Sequence, residues 1–229
     1  MTRPAEPRRL FFCVTPLNIL FAQAIRAREP GHDTLVFVPS TAGAKYQFYY
    51  DRFEWGRRIS ASIRHGALPD LAYETMKAIK VMTLLRERHF DELIFGNIGS
   101  LTFSLIAKRY ANTPISTYDD GTLHADAEVH EEWLRQEPLT HHWFRRLTGA
   151  CTNQEVLSRI QRHFTLFPAE LCGLDVPEVI EIPLFADLPA PSPSSRPVRV
   201  LLGTPETKLV LGINATAYER LVGRLAPDI

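Results

Sequence analysis

Short apolar runs alternate with helical patterns from the first residues to Tyr118, and this alternation constrains the fold more than any other feature. Leu10–Val14 is a strand-like run, Thr15-Pro16 is a helix start, and a helical pattern continues to about Arg28. Thr34–Val38 reads as a second strand and the aromatic-rich stretch from Lys45 to Trp55 as a helix. From Leu71 to Arg88 the residues Leu71, Ala78, Val81, Met82 and Leu85 recur near helical spacing. Glu92–Phe95 is a strand, Leu101–Tyr110 a helix, and Ile115–Tyr118 a strand again. Alternation of this kind means parallel strands joined by helical crossovers. The expected fold class is α/β, a Rossmann-like parallel sheet flanked by helices.

The last of these strands delivers Tyr118-Asp119-Asp120-Gly121, followed by Thr122. Open α/β sheets place their chemistry at the C-terminal ends of strands, and a glycine there allows a sharp turn. Two carboxylates held close raise the proton affinity of one of them, which suits a general acid or base. Asp and Gly are also favoured in plain turns, and on spacing alone the turn reading leads.

Composition narrows the function classes. Lys+Arg and Asp+Glu balance at 26 each, so no global field favours nucleic acid or a charged membrane. Cys13, Cys151 and Cys172 are odd in number and far apart, with no C-x-x-C pair. That excludes a disulfide framework or a zinc pattern and leaves reduced core thiols. Arg8-Arg9 before an apolar stretch imitates a signal peptide. Pro16 and Asn18 interrupt the run, however, and the helical pattern continues into charged residues, so a strand and a helix are expected there.

Beyond Gly121 the pattern is less regular. Glu131–Leu147 reads as a helix broken near Pro138, with Trp133 and Trp143 expected against the sheet and Arg145 and Arg146 on a solvated face. A helix capped by Asn153 is expected to run through Ile160, with Phe164–Phe167 and Val179–Pro183 extended. His130, His141, His142 and His163 read as ordinary surface or core histidines, and the adjacent pair His141-His142 is poorly placed to share a metal. Leu188 to Pro197 is Pro/Ser-rich and has no packable pattern. The organisation expected is a first domain over 1–187, a linker over 188–197 and the start of a second domain over 198–229, with a strand at Val198–Gly203 and a helix at Ala215–Leu225. One strand and one helix bury too little to stand alone, so the second domain is expected to be truncated.

Five stretches in order resemble glycosyltransferase family 52, the bacterial lipooligosaccharide sialyltransferases. They are Cys13-Val14-Thr15-Pro16-Leu17, Lys45-Tyr46-Gln47-Phe48-Tyr49-Tyr50, Tyr118-Asp119-Asp120-Gly121-Thr122, Ile182-Pro183-Leu184-Phe185, and Val198 through Glu206 with its Leu201-Leu202-Gly203-Thr204-Pro205 core. The resemblance implies a GT-B-like fold, two Rossmann-like domains facing a cleft, here with the second truncated. It implies an inverting transfer of sialic acid from CMP-sialic acid to a terminal galactose of a lipooligosaccharide, with no cofactor and no essential metal. Asp120, with Asp119, matches the acidic motif, and Glu206 stands where family members usually carry Asp; these are the catalytic candidates. Thr15, Pro16, Gly121, Thr122, Gly203 and Thr204 are the implied substrate-binding positions. His124 stands where Asn is commoner, and no His-Pro pair, which in the family meets the donor phosphate, is present.

The partners implied are CMP-sialic acid and a galactose-terminated glycan or lipooligosaccharide, without nucleic acid. A homodimer and peripheral membrane association are further expectations, and the implied location is cytoplasmic, at the inner face of the inner membrane. A non-catalytic α/β module binding a glycan or partner chain is the alternative. A dinucleotide-binding Rossmann domain is disfavoured because no G-x-G-x-x-G follows the first strand, and Gly96-Asn97-Ile98-Gly99 reads only as a loop.

Overall fold

A computed structural model describes residues 6–39, 44–51, 56–61, 70–119, 139–172 and 174–182. The chain divides into two units, Met1–Ala186 and Asp187–Ile229, and every described residue lies in the first. The Pro/Ser-rich stretch, the expected second-domain strand and helix, and residues 120–138 lie outside the described residues.

Among the described residues, seven strands form one parallel sheet: β1 (Arg8–Cys13), β2 (His32–Phe37), β3 (Arg57–Ser60), β4 (Glu92–Phe95), β5 (Ile115–Tyr118), β6 (Ile160–Thr165) and β7 (Glu178–Glu181). Their order is β3-β2-β1-β4-β5-β6-β7. The helices are α1 (Pro16–Arg28), α2 (Ala44–Asp51), α3 (Asp70–Leu84), α4 (Leu101–Arg109), α5 (Leu139–Thr148) and the short α6 (Asn153–Leu157). The α/β class expected from the sequence is what the chain adopts.

Strand periodicity divides the core in two. Phe11, Cys13, Leu35, Phe37, Ile94, Tyr118 and Phe164 face one side, where Ile19, Phe21, Ala22 and Ile25 of α1 cover them. Leu10, Phe12, Val36, Leu93, Phe95 and Ile115 face the other, covered by Val81 of α3 and Phe103, Ile106 and Ala107 of α4. Burying one such side chain contributes roughly 1.5–3 kcal/mol. The central strands are therefore apolar on both faces, the signature of a covered parallel sheet.

At the N-terminal edge of the sheet the α1 side is closed by ions rather than hydrocarbon. Arg9 Nε and Nη2 donate to Asp33 at 2.7 and 3.1 Å, both side chains fully buried. Arg162 donates to Glu92 (2.6 and 2.8 Å) and to Glu29 (3.0 Å), and Ser116 Oγ donates to Glu92. Burial alone would lower the Arg162 pKa; hydrogen bonds and charge from Glu92, then Glu29, outweigh it and hold it above its ordinary value.

Three expectations need correction. β3 has no counterpart in the sequence reading: Arg57-Arg58-Ile59-Ser60 buries only Ile59, because it is an edge strand, and Gly56 turns into it at φ 76°. Ser158 through Ile160 are not helical. Thr152, not Asn153, is the N-cap of α6, and β6 begins at Ile160 because that stretch pairs with β5. The helix expected to reach Arg88 ends at Leu84, where the Leu84 carbonyl accepts from Arg57 Nη2 at 2.8 Å.

Candidate active site

In a parallel sheet all C-terminal strand ends share one edge, and a ligand crevice opens where neighbouring strands send their connections to opposite faces. Here that point lies between β1 and β4. Two sequence features flank it, the Thr15-Pro16 turn after β1 and the Gly96–Ser100 loop after β4, and Asp119 follows β5, one strand further along the same edge.

Thr15 is the N-cap of α1 and Pro16 its first residue. Asn18 N–H donates to Thr15 Oγ1 (3.3 Å), while Asn18 Oδ1 accepts from the N–H groups of Val14 and Thr15, both at 3.0 Å. This reciprocal capping box fixes the turn and occupies the Thr15 hydroxyl as an acceptor. Next door, Gly96 leaves room for Tyr118. A Cβ at residue 96 would lie 2.6 Å from Tyr118 Cε2 and 3.4 Å from Asn18 Nδ2. The Tyr118 hydroxyl crosses to β1, donating to the Phe12 carbonyl at 2.7 Å, and its ring stacks on Phe21 with centroids 5.1 Å apart. The ends of β1, β4 and β5 are thus locked together by one buried tyrosine.

The lock positions Asp119. Its carboxylate is 2 % exposed and both oxygens are engaged. Oδ2 accepts from Leu166 N–H at 2.7 Å and from the Thr165 hydroxyl at 2.9 Å, and Oδ1 lies 3.0 Å from His163 Nε2. Asp119 N–H donates to the Phe164 carbonyl at 3.2 Å, extending the ladder one residue past β5. A carboxylate only accepts, so Nε2 carries the proton; in the neutral ring Nδ1 then accepts from the Thr117 hydroxyl at 2.7 Å. Thr117, His163, Asp119 and Thr165 form one buried polar chain across β5 and β6.

This polar chain accounts for the first member of the acidic pair. Asp119 is consumed by the sheet and serves as the anchor of the strand end. Asp120, the next residue, lies outside the described residues, as do Gly121, Thr122, Gly203, Thr204 and Glu206. Of the sequence candidates, the structure therefore brings Thr15, Pro16 and Asp119 to one edge. The sequence marks His163 only as an ordinary histidine; its partner role depends on the β5–β6 register, which pairs Thr117 with His163. Asn97, dismissed as loop, sits at the crevice with a buried Oδ1 that has no hydrogen-bond partner among the described residues.

Other groups nearby are less suited to chemistry. Cys172 is half-buried; burial raises its thiol pKa most, the Asp119 charge adds to that, and a hydrogen bond with the Leu174 backbone opposes it. Cys13 and Cys151 are buried, and the Cys13 sulfur accepts from the Tyr118 hydroxyl at 3.6 Å. Among the described residues no group of His, Cys, Asp or Glu is arranged to hold a metal ion. Two expectations about α5 are overturned. Arg145 is buried, with Nη2 donating to Asn153 Oδ1 at 2.6 Å, while Trp143 is exposed rather than packed on the sheet.

No protein-family model matches the chain. Over 215 residues it is 23 % identical to an N-acetyllactosaminide alpha-2,3-sialyltransferase of Neisseria meningitidis serogroup A / serotype 4A, covering 89 % of this chain and 58 % of the relative. Over 116 residues it is 25 % identical to a CMP-N-acetylneuraminate:beta-galactoside alpha-2,3-sialyltransferase of Pasteurella multocida, covering 50 % of this chain and 37 % of that protein. Both curated relatives are sialyltransferases. The chain spans under two thirds of either relative's length. Among solved structures, a UDP-glucosyltransferase from Polygonum tinctorium aligns with a TM-score of 0.41 and 11 % identity, covering 78 % of this chain and 52 % of that one.

Proposed function

We propose that this chain is the acceptor-side part of an inverting sialyltransferase of the GT-B kind, moving sialic acid from CMP-sialic acid to a terminal galactose. The observation that supports the reading is the anchored acidic strand end: Asp119, at the C-terminal edge of the sheet where open α/β folds bind ligands, is buried and bonded to His163 and to the Leu166 N–H. The relatives' names give the reaction class.

A galactose hydroxyl is a poor nucleophile near neutral pH and needs a base as it attacks. Asp120 takes that proton while the hydroxyl oxygen bonds to the anomeric carbon of sialic acid. The bond from that carbon to the CMP phosphate breaks, and CMP leaves with the electron pair. Attack opposite the leaving group inverts the anomeric centre. Asp119 does not exchange the proton; it keeps Asp120 in place. In this reading Thr15, Pro16, Gly121 and Thr122 serve in binding the acceptor, Gly203 and Thr204 serve in binding the donor, and Glu206 is the alternative base. The reading needs no metal and no cofactor. A lipooligosaccharide is the natural acceptor it favours, at the inner face of the inner membrane.

The test is transfer of labelled sialic acid from CMP-sialic acid to lactose. It is run with the 229-residue chain and with a chimaera joining residues 1–197 to the second half of the Neisseria relative. Transfer by either protein supports the reading. A chimaera that folds, binds CMP-sialic acid and does not transfer to lactose contradicts it.

A further inference from the structure

The edge of the sheet opposite Asp119 carries a cavity of about 290 Å³. It lies where β1, β2 and β3 begin, bordered by Arg26 of α1 and by Glu87 and Phe90, which follow α3. The backbone runs close to itself here: a Cβ on Gly56 would lie 2.0 Å from the Asp33 carbonyl oxygen. Three guanidiniums, those of Arg8, Arg26 and Arg57, line the cavity with the acids Asp33 and Glu87.

The acids are already matched. Arg9 occupies both oxygens of Asp33 from inside the sheet, and Arg57 donates to Glu87 Oε1 at 2.5 Å. Arg8 and His32, partners in the β1–β2 register, both reach the cavity. They hydrogen-bond to other described residues only through their backbones, and Asp91 takes the Arg8 backbone N–H rather than its guanidinium. Glu87 Oε2 is buried and has no hydrogen-bond partner among the described residues. The cavity thus offers uncommitted donors at one place and an uncommitted acceptor at another.

We propose that this cavity binds a small sugar phosphate. Guanidiniums hold phosphate oxygens with paired charge-assisted bonds, so Arg8, with His32 beside it, marks the phosphate end. A carboxylate oxygen only accepts, so the ligand brings a donor to Glu87 Oε2. An ammonium there would be repelled by the three guanidiniums, which leaves a neutral hydroxyl. The volume stands at the lower end for small-molecule sites, suited to one phosphorylated monosaccharide rather than an extended glycan. The inference does not rest on the transfer reaction.

The experiment is isothermal titration of the 229-residue chain with glucose 6-phosphate, galactose 1-phosphate, inorganic phosphate and glucose. Three proteins are compared: the unaltered chain, Arg8→Ala combined with His32→Ala, and Glu87→Met, each checked for folding by circular dichroism. At least one sugar phosphate is expected to bind, more tightly than inorganic phosphate, with glucose failing to bind. The Arg8→Ala, His32→Ala protein is expected to lose about tenfold or more in affinity. Glu87→Met is expected to bring the sugar phosphate down to the level of inorganic phosphate. Should that variant unfold, the exposed pair Arg8 and His32 still decides the matter. No binding by either sugar phosphate, or undiminished binding without Arg8 and His32, overturns the proposal. Inorganic phosphate bound as tightly as both sugar phosphates also overturns it and leaves a simple anion site.

Discussion

His163 Nε2 and Asp119 Oδ1 lie 3.0 Å apart in the interior of the sheet, joining the ends of β5 and β6. The histidine is 0 % and the aspartate 2 % exposed, so neither exchanges partners with water. The contact bonds the first carboxylate of the Asp119-Asp120 pair into the fold.

Replacing His163 by Ala strands Asp119 Oδ1 and the Thr117 hydroxyl, each of which has this ring as a partner. Leaving buried polar groups unsatisfied is expected to cost roughly 2–4 kcal/mol in total. Urea unfolding reads that loss directly. A stability within about 0.5 kcal/mol of the unaltered protein contradicts the role given to the ring.

Gly96→Ala tests the approach of three strand ends. The new methyl meets the Tyr118 ring at 2.6 Å, and that ring is held by Phe12 and Phe21. Overpacking of this kind is expected to cost about 1–3 kcal/mol, seen as a lowered thermal midpoint. Tyr118→Phe, which removes only the hydroxyl, is expected to cost nearer 1 kcal/mol.

Much of this architecture was legible in the sequence, because the central strands report themselves. The sequence delimits Glu92–Phe95 and Ile115–Tyr118 correctly, the first by its Leu93-Ile94-Phe95 run and the second by its β-branched and aromatic residues. β3 escaped because an edge strand needs only one inward residue, here Ile59. Trp143 was misplaced by the rule that large aromatics are buried, and the same helix buries Arg145 instead. The acidic strand end is legible in the sequence, but the burial of Asp119 is not. It depends on Leu166, Thr165 and His163, more than forty residues away, and no local pattern encodes a register between strands.

The ionic closure at the opposite edge makes a separate prediction. Asp33→Ala leaves the fully buried Arg9 guanidinium without its two-bond partner, with Glu29 only 3.9 Å away as a substitute. Breaking a buried pair from one side is expected to destabilise by about 3–5 kcal/mol. Replacing both residues with apolar side chains of matching volume is expected to recover most of that loss. Chemical denaturation of the single and double variants checks both statements.

α6 supplies the pH dependence. Glu155 has its pKa held below the ordinary value, first by the Thr152 backbone N–H and then by the Thr152 hydroxyl. A depressed folded-state value means the stabilisation is present above the unfolded value, about 4.3, and is lost as pH falls through the lower folded value. Glu155→Gln is therefore expected to be destabilising at neutral pH and to match the unaltered protein in strong acid. Thr152→Ala, which removes the cap hydroxyl, is expected to cost about 1 kcal/mol at neutral pH. Urea midpoints on both sides of that window decide the matter.

The central claim is that β5 delivers one structural and one reacting acid, and it is tested most directly by comparing Asp119→Asn with Asp120→Asn. Sialic acid transfer to lactose and thermal stability are measured together, in whichever of the chain or the chimaera transfers. The account predicts that Asp120→Asn keeps the thermal midpoint and loses about a hundredfold or more in transfer, as removal of a general base should. Asp119→Asn, by contrast, lowers the midpoint. Near-normal transfer by Asp120→Asn contradicts the account and moves the base to Glu206.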